Sequence, residues 1–245
     1  MILTFEEAAN AMRAKIEHYD HAPRIVTVST DTRTITTGQT YLALRGEHFD
    51  GHAYVEQAVR KGAAALVVEG APSAALDVAT MIVGDTKAAY MSLAAAARSK
   101  FHGRVIAITG STGKTTTKVL LNQLLETQFG KHAQASPANE NNEIGVSKLL
   151  LNVSPDVAAL VVEMGARHFG DIETLVDIAH PEVGILTNVG EAHLEIMGSR
   201  ERLAETKWGL FSRGARAVLN VRDTVSFARA TRLEAAPRWF GVGAP

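Results

Sequence analysis

No cysteine occurs in the 245 residues. That excludes a disulfide framework and a thiol nucleophile, and it fits a cytoplasmic protein. Charge of one sign is not in excess either: 25 basic residues stand against 26 acidic ones, a formal net charge of -1. Nucleic acid and anionic membrane surfaces therefore have no electrostatic case as partners. Every apolar run is too short to cross a bilayer. The start Met1-Ile2-Leu3-Thr4-Phe5-Glu6-Glu7 lacks the basic segment and long apolar stretch of a signal peptide. There is no internal repeat and no low-complexity tract. What remains is 46% hydrophobic and 21% charged, enough for a true core. The length suits one large or two ordinary domains.

The most informative stretch runs from Val105 to Thr117. Val105 to Ile108 is a short apolar strand signal. Gly110 and Gly113 then bracket a tight loop, and Lys114, Thr115, Thr116 and Thr117 open a helix whose periodicity continues through Val119, Leu120, Leu121, Leu124 and Leu125. Strand, glycine-rich loop, lysine, threonine and helix form the layout of a phosphate-binding loop. Backbone N–H groups of Gly110, Ser111, Thr112, Gly113 and Lys114 can converge there, and the helix start adds partial positive charge. In that layout Lys114 reaches the β- and γ-phosphates and the Thr115 hydroxyl sits on Mg²⁺. One position departs: the glycine that opens the general pattern is replaced by Ile108. An ordinary strand-to-helix turn is the plainer alternative.

Thr4 and Glu7 suggest a capping box ahead of a helix to about Met12. Strand signals follow at Ile25–Val28, Tyr41–Leu44, Ala64–Val68 and Met81–Val83, with a helix from His52 to Arg60. Strands alternating with helices indicate a small α/β domain over residues 1–85. The alanine-rich helix from Thr86 to Lys100 reads as part of a connector spanning 86–103. A second α/β unit, 104–245, has strand signals at Val105–Thr109, Val157–Glu163, Val183–Thr187 and Ala217–Leu219, and a further strand-like stretch at Trp239–Val242. Its helices follow Lys114, Gly145, Asp171, Arg200 and Asp223. Near-continuous apolar strands imply a mostly parallel sheet covered on both faces by helices, with ligands at the carboxyl ends of the strands.

Several residues could carry chemistry at those ends. Glu163 closes an apolar strand and suits Mg²⁺ if its strand neighbours the phosphate loop; otherwise it is a solvated acid. His193 follows another strand and could meet a metal or a phosphate, though most lone histidines do neither. Lys207 reads from its surroundings as a surface helix lysine. Asn141 and Asn142 read as a loop with a helix start, or as amides for a polar ligand. In the first domain, Ser29, Asp31 and Arg33 and the loop Arg45 to His52, with Gly46, are turn chemistry or a diphosphate site. Phe49 could stack on a base, and His52 reads as a helix-start residue.

Six segments fall in order: Ser29-x-Asp31-Thr32-Arg33, Leu44-Arg45-Gly46-Glu47-x-Phe49-Asp50-Gly51-His52, Thr109-Gly110-Ser111-Thr112-Gly113-Lys114-Thr115-Thr116, Asn141-Asn142-Glu143-Ile144-Gly145-Val146, Glu163-Met164-Gly165-Ala166 and Thr187-Asn188-Val189-Gly190-Glu191-Ala192-His193-Leu194-Glu195. Together they resemble the Mur ligase family of ATP-dependent amide-bond-forming enzymes, across nearly the whole chain. Within it, Asn139–Glu143 and Glu163–Ala166 resemble the members that add D-alanyl-D-alanine to UDP-N-acetylmuramoyl-tripeptide. The resemblance implies a cytoplasmic, monomeric enzyme of peptidoglycan precursor synthesis that uses ATP and Mg²⁺. It implies that Gly110 to Thr116 bind ATP, that Thr115 and Glu163 hold one Mg²⁺ and His193 helps hold a second, and that Lys207 is carbamylated. Asn220 then lies near the adenine. Ser29, Asp31, Arg33 and the Arg45–His52 loop hold the UDP end, and Asn141 and Asn142 the sugar–peptide side.

Ser147 stands where the family usually has a proline, and Val221-Arg222-Asp223 replaces a more acidic segment. Family members also carry a third domain that closes over ATP, for which 245 residues leave no room. The expectation is a central domain that is itself incomplete and a chain that does not complete the reaction alone. A non-catalytic module binding UDP-substrate or ATP is the competing reading. A third is another amide ligase of the superfamily, of folylpolyglutamate or cyanophycin type, against which the uridine-type first domain argues.

Overall fold

Thr4 starts the first helix by reciprocal capping: Glu7 N donates to Thr4 Oγ1 at 3.2 Å and Thr4 N donates to Glu7 Oε2 at 2.9 Å. Two backbone donors that the helix start would leave unmet are thereby satisfied. The computed structural model describes residues 3–46, 49–71, 76–190 and 194–243, and the chain divides into two units, Met1–Lys100 and Phe101–Pro245.

The first unit runs β1 (Leu3–Thr4), α1 (Phe5–Met12), β2 (Lys15–Glu17), β3 (Ile25–Val26), β4 (Val28–Ser29), β5 (Thr40–Leu42), α2 (Val55–Arg60), β6 (Ala65–Val68), β7 (Ala79–Ile82) and α3 (Thr86–Ser99). Its main sheet has the order β2-β7-β6-β5-β4. It is parallel except that β2 runs antiparallel to β7. All four residues of β6 are buried, as expected for a strand covered on both faces. The helix expected as a connector lies within this unit. α3 buries Ala89, Tyr90, Leu93, Ala94 and Ala97 and packs against α1. Lys100 Nζ, just past its end, meets Glu7 Oε2 at 2.6 Å. The apolar face of α3 needs cover, and α1 provides it.

The second unit runs β8 (Arg104–Thr109), α4 (Lys114–Phe129), β9 (Ala133–Ala135), α5 (Glu143–Asn152), β10 (Ala159–Glu163), α6 (Asp171–Ala179), β11 (Val183–Leu186), α7 (Leu194–Met197), α8 (Arg200–Trp208), β12 (Arg216–Asn220), α9 (Thr224–Arg229) and β13 (Arg238–Phe240). Its six strands are all parallel, in the order β13-β12-β11-β8-β10-β9. The edge strands β2 and β9 were not anticipated, because three polar-flanked residues give no apolar run. β8 lies between β10 and β11, and the chain leaves it first toward β9 on one side and later reaches β11 on the other. That reversal leaves a crevice at the carboxyl end of β8. Glu163 on β10 is in register with Ile108, two residues before Gly110. Among the described residues, no helix is long and apolar enough to cross a membrane.

Candidate functional site

The loop after β8 is shaped by one close approach. Gly110 has φ +151, and a Cβ built on it would lie 1.8 Å from Thr187 Oγ1. Only glycine fits there. Thr187, just past β11, donates its hydroxyl to Thr112 O at 2.6 Å. Ser111 N donates to Asn188 O at 3.0 Å, Thr112 N to Asn188 Oδ1 at 3.1 Å and Gly190 N to Ser111 Oγ at 2.9 Å. Asp223 accepts from Val189 N at 3.2 Å while capping α9. The loop is thus braced by residues almost eighty positions downstream, which the motif alone did not reveal.

This bracing narrows the expected cradle. Ser111 and Thr112 N–H groups face Asn188 rather than a ligand. Gly113, at φ +80, precedes the first turn of α4, and Thr117 N already bonds Gly113 O at 2.9 Å. The N–H groups of Gly113, Lys114, Thr115 and Thr116 have no partner among the described residues. They are the unmet donors of a helix start, suited to an anion. Lys114 Nζ folds back to Gly110 O at 2.8 Å and Ser111 O at 3.4 Å. Burial holds its pKa below the ordinary lysine value, against the charge of Glu163.

Glu163 is 3% exposed. Its Oε2 accepts from Thr115 Oγ1 at 3.0 Å and lies 3.1 Å from Lys118 Nζ, and its Oε1 accepts from Asn141 Nδ2 at 3.0 Å. Burial would raise this carboxyl's pKa, but donation by Asn141, Lys118 and Thr115 holds it below the usual value. Lys118 was missed in the sequence reading. Its spacing of one helical turn from Lys114 was the available signal.

Lys207 corrects the surface reading: it is 2% exposed. Burial, and then the charge of Lys114, pushes its pKa down to about 8. In CO₂-free buffer, stability should rise between pH 8 and about 10.5, since there the unfolded chain holds a proton that folded Lys207 has lost. The slope from this group is about 1.4 kcal/mol per pH unit. Urea unfolding across that range should show this increment in wild type and lose it in Lys207→Met.

Other candidates are engaged inside their own domain. Asn142 caps α5 by accepting from Gly145 N at 2.9 Å, and Asn141 is held by Glu163. Asn220 Nδ2 donates to Thr187 O at 3.1 Å and its Oδ1 accepts from Arg222 N at 3.0 Å. Ser147 is fully buried in α5, its Oγ without a partner among the described residues. His193, Glu47 and His48 lie outside the described residues. Among those described, no group of three or more His, Cys, Asp or Glu could hold a metal.

In the first unit, Asp31, Arg33 and Phe49 line a cavity of about 500 Å³ with Thr30, Thr32, Tyr41 and Tyr54. Ser29 Oγ accepts from Asp31 N at 3.3 Å and shapes the turn beneath. Arg33 forks onto Asp31, with Nη2 to Oδ2 at 2.6 Å, and this side-chain donation pushes the Asp31 pKa down to about 2. Phe49 and Tyr54 stack with centroids 5.6 Å apart and planes at 14°, both rings exposed. Tyr41 OH donates to Gly51 O at 3.0 Å, and burial pushes its pKa to about 12. Tyr41 and Tyr54 were not anticipated.

Arg45 does not line this cavity. It pairs with Glu69 Oε2 at 2.5 Å and Asp50 Oδ2 at 3.1 Å, beside a second cavity of about 390 Å³ that it shares with His52. His52 Nε2 accepts from Glu69 N at 2.9 Å, which leaves its proton on Nδ1, 2.6 Å from Asp50 Oδ1. Gly46 N donates to Phe49 O at 2.8 Å and closes the loop that carries the ring. A larger cavity of about 660 Å³, lined by Glu173, Trp208 and Arg238 among others, opens at the amino ends of β11, β12 and β13 and includes none of the predicted site residues.

Comparison with known proteins follows the same division. The profile of the Mur ligase middle domain matches residues 108–243, and that of the Mur ligase family, catalytic domain, matches residues 24–102. UDP-N-acetylmuramoyl-tripeptide--D-alanyl-D-alanine ligase of Synechocystis sp. is 47% identical over 193 residues, covering 77% of this chain and 41% of that protein. The Bacillus subtilis enzyme of the same name is 40% identical over 181 residues, covering 74% and 39%. Crystal structure I of MurF from Acinetobacter baumannii superposes with TM-score 0.89 at 30% identity, covering all of this chain and 54% of that one. The Thermotoga maritima MurF ligase in complex with ADP gives TM-score 0.80 at 34% identity, covering 89% and 50%. The chain spans about half the length of these relatives. With a phosphate-loop domain matched over more than half its length, and the same fold in solved relatives, this chain belongs to the Mur ligase family.

Proposed function

We propose that this chain supplies the UDP-substrate and nucleotide sites of an ATP-dependent ligase that joins D-alanyl-D-alanine to UDP-N-acetylmuramoyl-tripeptide. The observation that carries the reading is the start of α4. Unpartnered N–H groups, the Lys114 ammonium and the Thr115–Glu163 pair, 3.0 Å apart, lie at one strand end. The names of the relatives support the choice of substrate within the family.

A carboxylate is a poor acyl donor because oxide is a bad leaving group. Attack of a substrate carboxylate oxygen on the γ-phosphorus of ATP forms an acyl phosphate and releases ADP. The incoming amine nitrogen then attacks the acyl carbon, the tetrahedral adduct expels phosphate, and the nitrogen loses its proton. The N–H groups of Gly113 to Thr116 hold the phosphates. Lys114 exchanges Gly110 O for a phosphate oxygen and offsets the charge there. The Thr115 hydroxyl and the Glu163 carboxylate are hard oxygen donors that would hold Mg²⁺, and the ion would supply charge neutralisation for the phosphates. The resemblance assigns His193 to a second Mg²⁺, Asn220 to the adenine side and Asn141 and Asn142 to the sugar–peptide side. A lysine titrating near 8 is partly neutral at physiological pH. Its free amine can add to CO₂, forming the N–C bond of a carbamate and releasing one proton, which makes Lys207 anionic.

In the first unit, the Phe49–Tyr54 stack offers a face to the uracil, and Arg33 exchanges Asp31 for the diphosphate. Arg45 and Gly46 hold the loop that presents Phe49. Calorimetry with the UDP-tripeptide tests this. Arg33→Ala and Phe49→Ala should each weaken binding about ten-fold, and unchanged affinity in both removes the cavity from the reading. Phosphate release with both substrates separates a ligase from a module that binds without turnover.

A further inference from the structure

Lys118 is the one buried side chain of α4. At 4% exposure it faces inward among a helix of mostly exposed residues. Its Nζ lies 3.1 Å from Glu163 Oε2 and donates to Pro137 O at 3.3 Å, in the segment between β9 and α5. We infer that Lys118 is a positioning residue that makes divalent-cation binding at Thr115 and Glu163 conditional on bound nucleotide. The inference rests on the phosphate and cation roles proposed above.

The geometry restricts Glu163 on every side. Oε1 takes Asn141, Oε2 takes Thr115 and Lys118, and the Glu163 N–H donates to Ser136 Oγ at 3.0 Å. The carboxylate cannot rotate away from the ammonium, and Pro137 O keeps the ammonium in place. A buried carboxylate left alone is costly and would attract a divalent cation at all times. Paired with Lys118 it is neutral, and Lys114 adds a further positive charge close enough to feel Glu163. The nucleotide-free site therefore repels a lone cation. Polyphosphate reverses the local sign, engages Lys114 and brings the cation's remaining ligands. Thr115 Oγ1 donates to Glu163 Oε2 in the nucleotide-free protein, so its hydroxyl would turn to direct oxygen rather than proton at an entering cation.

Mn²⁺ binding to the nucleotide-free protein, read from the free-ion electron paramagnetic resonance signal, tests this without turnover. Wild type should bind Mn²⁺ weakly alone and tightly with ADP. Lys118→Met should bind Mn²⁺ without nucleotide about ten-fold or more tightly than wild type. Lys118→Arg, which keeps the charge, should behave as wild type, and adding Glu163→Gln to Lys118→Met should abolish the gain. A merely structural lysine would lower the melting temperature on removal without raising cation affinity. If Lys118→Met does not fold, Lys118→Gln, which keeps a donor for Pro137 O, gives the same reading. Equal or weaker Mn²⁺ affinity in the neutral variant overturns the inference, as does tight binding by nucleotide-free wild type. Failure of wild type to bind ADP would count against the proposed function instead, because the nucleotide-free comparison stands apart from it.

Discussion

Gly110→Ala should abolish measurable ADP binding and destabilise the second unit by roughly 2–5 kcal/mol, the sum of backbone strain and overpacking. The added Cβ would lie 1.8 Å from Thr187 Oγ1 on a backbone at φ +151. Neither atom can yield cheaply, because Thr187 is itself tied to Thr112 O at 2.6 Å. The loop must therefore leave the 187–190 segment, and the first-turn N–H groups lose their common direction. Urea unfolding and ADP calorimetry read the two effects. Thr187→Ala removes the clashing oxygen and should restore part of the lost stability in the double variant. A Gly110→Ala protein with wild-type unfolding and ADP affinity would show that the loop is not held by this contact.

Lys114→Ala should leave the fold intact and weaken nucleotide binding by about 1.5–3 kcal/mol, the range for a hydrogen bond to a charged group. Without phosphate its ammonium rests on Gly110 O and Ser111 O. These are carbonyls of the loop itself, so removal costs little in the free protein. The backbone donors survive the substitution, and some affinity should remain. Titration of ADP into both proteins decides it: equal dissociation constants would remove Lys114 from the phosphate site. The loss should shrink at high salt if it reflects an exposed charge, and persist if the half-buried geometry governs it.

The phosphate loop, the alternation of strands and helices and the capping box at Thr4 were legible in the chain because each is local. Periodicity and short-range hydrogen bonding act over a few residues, so Gly110, Gly113 and Lys114 carry their meaning in their own neighbourhood. The identity of the family was legible too, through six segments whose order is written in the chain. Tertiary structure alone decided what those residues touch. Lys207 looks like a surface lysine and is buried because α8, packed against α6, turns it inward. Asn141 and Asn220 look free for ligands, yet each braces a strand end. Arg45 sits in a ligand-like motif and points to Glu69 and Asp50. Glu163 meets Thr115 from 48 positions away and Asn141 from 22. Only the register of parallel strands brings such residues to one edge, because burial and charge pairing depend on distances in space that no local pattern encodes.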